Sequence, residues 1–202
     1  MSRSFADKGK SAARAGPHRL RIIGGRWRGR PITFPPLAAI RPSPDRVRET
    51  LFNWLQPVIA GARCLDLFAG SGALGLEALS RGASHVQFVD SEPQVGRHLH
   101  GTLQLLGADA AAVTVSDALR YLQSTPAHAF DIVFLDPPFA ADLLPSIIGA
   151  LAQGWVAPTA YVYVECRSDT PLPALPAQWS VHRTKRAGQV GYHLVRVAPR
   201  LE

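Results

Sequence analysis

The sequence predicts an α/β fold: a mostly parallel sheet with helices on both faces, an antiparallel hairpin closing its C-terminal end, and a small β-hairpin ahead of it. Three observations carry this. Five runs of strand formers between residues 63 and 165 alternate with helical segments, a pattern that requires parallel pairing through crossover helices. The stretch WSVHRTKRAGQVGYHLVRV reads as two strands joined by a Gly-containing turn, hence an antiparallel finish. Near the start, Arg19–Ile23 and Arg30–Phe34 gather strand formers around Gly24 and Gly25, the signature of a short strand pair.

In chain order, residues 1–17 are expected to be a disordered basic tail, residues 18–42 a hairpin extension and residues 43–202 the main domain. LAAIRPSPD is a loop, after which Ser43 is expected to cap a helix that has Pro44 in its first turn. Val47, Leu51, Trp54, Leu55 and Val58 are its apolar stripe, and Arg46, Glu49, Thr50 and Asn53 lie opposite, free for solvent or a ligand. Strands are expected at 63–68, 84–90, 111–115, 130–136 and 159–165, with helices near 73–81, 93–106, 117–124 and 140–153.

Composition excludes several classes. Hydrophobic residues make up 47% of the 202 and charged residues 18%, which is globular and not disordered. No apolar run approaches the ~18 residues of a membrane span, and the basic N-terminus has no apolar core of a secretory signal. Cys64 and Cys166 are far apart in apolar surroundings, so buried thiols of a reduced, cytoplasmic protein are expected, with neither disulfide nor metal. Charge is uneven: residues 1–50 hold twelve of the 22 Lys and Arg against three acids, and the remainder is slightly acidic. Within HRLRIIGGRWRGRPITF the arginines interleave with Ile22, Ile23, Trp27 and Phe34, which a solvated tail does not need. A polyanion, most simply a nucleic acid, accounts for the charge and its confinement; Arg21, Arg26, Arg28, Arg30, Arg41 and Arg46 are the candidate contacts.

LDLFAGSGALGLEAL spaces Gly70, Gly72 and Gly75 as GxGxxG between the first main strand and its helix. That spacing alone also suits a dinucleotide pyrophosphate. Asp90, 20 residues past Gly70, fits a carboxylate that grips ribose hydroxyls in either class. Asp66 discriminates: a carboxylate just before the loop repels pyrophosphate and suits a ligand with an ammonium and a sulfonium, such as S-adenosylmethionine. NAD is the alternative. Asp117 can cap the following helix and also accept from an adenine amino group.

DIVFLDPPFA ends a strand on Asp136, Pro137, Pro138 and Phe139. Each proline holds the residue before it extended, so the chain leaves the sheet along a fixed path without amide donors. It presents two acceptors, the Asp136 carboxylate and the Pro137 carbonyl, beside a flat ring. Such a clamp suits the exocyclic amino group of a nucleobase. Methylation makes that nitrogen cationic, and a carboxylate stabilises the charge and can take the proton. Phe139 would stack on a displaced base.

DPPF together with LDLFAGSGALGLEALSRGA resembles the class I S-adenosylmethionine-dependent amino-methyltransferases, whose domain is a Rossmann-like, mostly parallel sheet. RIIGGRWRGRPI, RPSPDRVRETLFNWL and AGQVGYHL narrow the resemblance to the RsmD family of 16S ribosomal RNA guanine-N2 methyltransferases, from about Arg19 to Val197. The resemblance implies methylation of one guanine N2 on the 30S subunit or an assembly intermediate, by a monomer. It implies that Asp66, Phe68, Ala69, Gly70, Ser71, Gly72, Asp90, Ser91, Asp117 and Ala118 line the cofactor, with Glu49 near its methionine end. Asp136 to Phe139 would be the catalytic motif. A DNA adenine-N6 or cytosine-N4 methyltransferase shares the clamp but would need a target-reading domain for which the chain has little room. A non-catalytic RNA-binding assembly factor would not need Asp136.

Overall fold

The computed structural model describes residues 18–34, 43–126, 128–138 and 142–199. The basic tail, Arg41 and Phe139 lie outside the described residues. The elements run β1 (His18–Arg21), a 3-10 turn (Gly25–Trp27), β2 (Pro31–Phe34), α1 (Asp45–Leu55), β3 (Arg63–Asp66), α2 (Ala73–Ser80), β4 (His85–Asp90), α3 (Pro93–Leu106), β5 (Ala111–Val115), α4 (Ala118–Leu122), β6 (Phe130–Leu135), α5 (Leu144–Leu151), β7 (Val156–Arg167), β8 (Trp179–Ala187) and β9 (Val190–Val197).

Seven strands form one sheet in the order β5-β4-β3-β6-β7-β9-β8, and β1 and β2 form a separate antiparallel pair. β3 through β7 pair in parallel, whereas β9 runs antiparallel to both β7 and β8. The chain starts the sheet at β3, steps outward to β4 and β5, then returns to β6 on the other side of β3. That reversal opens a crevice beyond the carboxyl ends of β3 and β6, where ligands of open α/β sheets bind.

The strands alternate sides, as a half-turn per residue requires. Cys64, Val86, Phe88, Ile132, Phe134 and Leu194 face one core with Leu51, Phe52 and Leu55 of α1, Leu76 of α2 and Leu99 of α3. Leu65, Val89, Val133, Leu135, Val162 and Val195 face the other with Leu122 of α4 and Ile147, Ile148 and Leu151 of α5. β5 and β8 are the two edges of the sheet. Buried free thiols at Cys64 and Cys166 agree with the expectation from sequence.

The N-terminal hairpin belongs to the first core. Leu20, Ile22, Trp27, Ile32 and Phe34 are all buried in it. Its connecting turn docks on α2: Ile23 N and Gly24 N each donate to the Glu77 carboxylate at 2.8 Å, and Trp27 N donates to Ser80 Oγ at 3.0 Å. Gly25 has φ +75, and a Cβ there would run into the Ser80 carbonyl, so the Gly-Gly pair exists to let backbone meet helix.

α1 ends at Leu55 and not at 58, and β3 at Asp66 and not at 68; two further differences have clear physical reasons. Ser43 does not cap α1: Pro44 holds the cap position without a side-chain bond, and the buried Ser43 hydroxyl is spent on Glu165 instead. β7 runs to Arg167, beyond the expected 165, because β9 pairs with it through Val190.

Candidate active site

The glycine loop leaves β3 and enters α2. Gly70 N donates to Asp90 Oδ2 at 2.9 Å, Gly72 N to the Ala69 carbonyl at 2.7 Å and Gly75 N to Asp66 Oδ2 at 3.0 Å. A Cβ at Gly75 would strike the Phe88 ring, so this glycine lets α2 lie close on β4. Asp66 is buried at the end of β3, and burial pushes its carboxyl up to about 7 against the Gly75 bond that lowers it. Asp90, at the end of β4, also accepts from Glu92 N at 2.9 Å.

The remaining cofactor candidates, Glu49 apart, lie on the same rim. Ser116 N donates to the Asp90 carbonyl at 2.9 Å, which sets the end of β5 beside that of β4. Asp117 caps α4, its Oδ1 accepting from Arg120 N at 3.0 Å, and Ala118 begins the helix. Ala69, Ser71 and Gly72 are buried in the loop; Phe68 and Gly70 are half-buried, and Ser91 is exposed. Glu49 is exposed on α1, and no described contact carries it to the loop.

Asp136 follows β6, the neighbour of β3, so it stands beside Asp66, with Pro137 buried and Pro138 exposed after it. Burial, then the Glu165 and Asp66 carboxyls, hold Asp136 well above the usual carboxylate range, and the Ser43 hydroxyl works the other way. Sequence reading missed what lies beneath. Ser43 Oγ donates to Glu165 Oε1 at 2.5 Å and stands 3.4 Å from Asp136 Oδ2. Tyr163 Oη donates to the same Glu165 oxygen at 2.8 Å. Burial raises Glu165 as well, while its two hydroxyl donors lower it. The available signal was an acid inside the apolar run AYVYVEC.

Among the described residues, no ion pair reaches Asp66, Asp136 or Glu165. Three carboxyls share one low-dielectric corner with no described cation; burial favours their neutral forms, and a positive ligand seated there would draw them to the ionised form. Three amides of the loop, those of Gly70, Gly72 and Gly75, are spent on Asp90, Ala69 and Asp66, and the carboxyls beside the loop are of the sign that repels a pyrophosphate. The donor set therefore fits a phosphate-free nucleoside with a cationic tail and not a dinucleotide.

Away from this corner, Arg21, Arg26, Arg28, Arg30 and Arg46 are exposed, with Arg26 laid over the Trp27 ring at 3.9 Å. β8 adds a feature that sequence reading passed over: His182, Arg183, Thr184, Lys185 and Arg186 are all exposed on the sheet edge, without an acid among them.

Strand order, loop and clamp together define a class I S-adenosylmethionine-dependent methyltransferase fold. A family model described as "Conserved hypothetical protein 95" matches residues 20–196. Ribosomal RNA small subunit methyltransferase D of Escherichia coli strain K12 is 49% identical over 188 residues, covering 92% of this chain and 93% of that protein. The solved structure of yhhF from Escherichia coli superposes with a TM-score of 0.82 at 47% identity, covering 91% of this chain and 100% of that one. The fold extends to SMU.776, solved complexed with SAH, at 13% identity and a TM-score of 0.71, covering 94% of this chain and 58% of that one. The chain belongs to the Conserved hypothetical protein 95 (RsmD) family and is a methyltransferase.

Proposed function

We propose that this chain methylates the exocyclic N2 amino group of a guanine in 16S ribosomal RNA, using S-adenosylmethionine, on the 30S subunit or an assembly intermediate, as a cytoplasmic monomer. The observation that carries the reading is the convergence of Asp66, Asp136 and Glu165 at the carboxyl ends of β3, β6 and β7 without a described cation. The name of the Escherichia coli relative supports ribosomal RNA as substrate. Asp90 would hold the ribose hydroxyls, Asp117 and Ala118 the adenine, and the loop with Asp66 the methionine end. When bound, the cofactor supplies an electrophilic methyl carbon on a sulfonium.

The protein's own groups do the rest. Asp136 and the Pro137 carbonyl accept the two N–H bonds of the amino group, turning its lone pair out of the base plane. The buried carboxyls stabilise the positive charge that develops on nitrogen, in a corner where that attraction is strong. Phe139 would stack on the base. RNA would lie across the hairpin, α1 and β8. Arg183 and Lys185 sit opposite Leu194 and Tyr192, so their side chains share the sheet face of α1, whose Trp54 stacks on Tyr192 at 5.6 Å.

The test uses methyl-labelled S-adenosylmethionine with unmodified 30S particles, protein-free 16S RNA and double-stranded DNA, followed by nucleoside analysis. Label as N2-methylguanosine is the expected outcome. Label on DNA adenine or cytosine keeps the clamp chemistry and overturns the substrate. Cofactor binding with no label anywhere overturns the enzymatic reading.

A further inference from the structure

Glu165 is only 3% exposed, in a central stretch of β7 that otherwise reads as apolar. An unneutralised carboxyl there is costly unless hydrogen bonds compensate. A glutamine would satisfy the same two hydroxyls without that cost, so packing alone does not call for an acid. Both donors converge on one oxygen: Ser43 Oγ at 2.5 Å and Tyr163 Oη at 2.8 Å, leaving Oε2 outside the network. The Ser43 hydroxyl also reaches toward Asp136 Oδ2 at 3.4 Å, so one hydroxyl spans two carboxyls. These residues come from three separate parts of the chain, ahead of α1, after β6 and within β7.

We propose that Glu165, acting through the Ser43 hydroxyl, is the proton-receiving and positioning partner of Asp136 in methyl transfer. This rests on the functional reading above. The nitrogen lone pair forms the N–CH3 bond as the CH3–S bond breaks, its electron pair staying on sulfur. The nitrogen is then positively charged and carries one proton too many. That proton passes to Asp136; Asp136 passes a proton to Ser43 Oγ, and Ser43 gives its own to Glu165 Oε1. One proton has moved from the base to Glu165, and Asp136 is again an acceptor. Charge is conserved at each transfer and no further reactant is needed.

The groups facing the pair are Asp66 from β3, Ser43, Tyr163 from β7 and Tyr192 from β9, which pairs with Glu165 across the sheet. None of them is cationic. The two acids therefore repel, and a proton held between them relieves that repulsion.

The experiment compares E165Q, S43A, S43T and the S43A/E165Q double variant with the intact protein. The expected result for E165Q is a kcat lowered about 10²-fold, with KM for RNA and cofactor affinity kept. Its acid limb in the pH profile moves to lower pH, because Asp136 ionises more easily without its neighbour's charge. S43T keeps activity through its hydroxyl, S43A falls as far as E165Q, and the double variant falls no further because the two act as one unit. Folded E165Q with an unmoved kcat and acid limb, or losses that multiply in the double variant, would overturn the relay. A second readout needs no RNA. The infrared carboxyl band of Asp136, followed through a pH titration, moves to lower pH in E165Q. An unmoved titration refutes the coupling even in a protein that methylates nothing. A moved titration in a protein inactive on every RNA upholds the pair and retires the substrate reading.

Discussion

Replacing Glu77 by alanine removes the acceptor that fastens the N-terminal hairpin to α2. Glu77 is fully buried, and its carboxylate takes Ile23 N and Gly24 N at 2.8 Å each and Arg81 Nε at 2.7 Å. Arg48, 1% exposed, approaches it at 3.8 Å. Removing one member of a buried pair costs about 3–5 kcal/mol, because the other charge stays buried. Arg48 retains Asp45 at 2.6 Å, an exposed partner, so the lower part of that range applies, about 3–4 kcal/mol. For a chain of this size each kcal/mol lowers Tm by about 2–4 °C, so E77A should melt roughly 6–16 °C below the intact protein. Circular dichroism gives the melt, and Trp27, buried only while the hairpin is docked, reports release through a red-shifted emission. RNA affinity should drop, and affinity for S-adenosylhomocysteine should fall with it, because α2 links the hairpin to the glycine loop. A Tm within about 3 °C and unchanged Trp emission would refute the reasoning, since Leu20, Ile22, Ile32 and Phe34 would then hold the hairpin by themselves.

Asp66 makes stability depend on pH. Its folded carboxyl, at about 7 against 3.8 unfolded, stabilises the fold in its protonated form, so this contribution is full below about pH 4 and fades as pH rises through 7. Between about pH 5 and about pH 8 the loss is roughly 2.5 kcal/mol, and D66N should flatten the urea-unfolding profile by that amount. Adding a methyl at Gly75 overpacks it against Phe88, so G75A should lose about 1–3 kcal/mol and cofactor affinity together, read by melting and calorimetry. Removing Arg183 and Lys185 as a double alanine variant should lower the slope of log affinity for RNA against log salt by about 1–2, with cofactor affinity unchanged.

What could be read from sequence was whatever is local. α3 and β5 fall at 93–106 and 111–115, where the periodicity puts them, because cap, turn and apolar spacing lie within a few neighbouring residues. The glycine loop was legible for the same reason, as was Asp136, fixed by the two prolines that follow it. Ser43 was misread because its position before a proline is also a helix-start signal, and its actual partner lies 122 residues away. Glu77 and Glu165 were invisible as functional groups: one looks like an ordinary helix acid and the other like a lapse in a strand. Only the fold brings Ile23 and Gly24 to the first, and Ser43 and Tyr163 to the second. Arg48 repeats the lesson, since its place beside the polar stripe of α1 gives no hint that it is buried.

The eight residues of α2 carry two attachments at once. Near its start Gly75 is tied to Asp66 and the nucleoside loop; in its middle and at its end Glu77 and Ser80 hold the hairpin turn. A helix that short has no flexible joint between the two, so a displacement at one attachment is carried to the other as a rigid movement. Ordering of the loop and seating of the hairpin then draw on a common equilibrium. Thermodynamic reciprocity fixes the form of the outcome: if RNA seats on the hairpin as proposed, the factor by which it changes nucleoside affinity equals the factor by which the nucleoside changes RNA affinity.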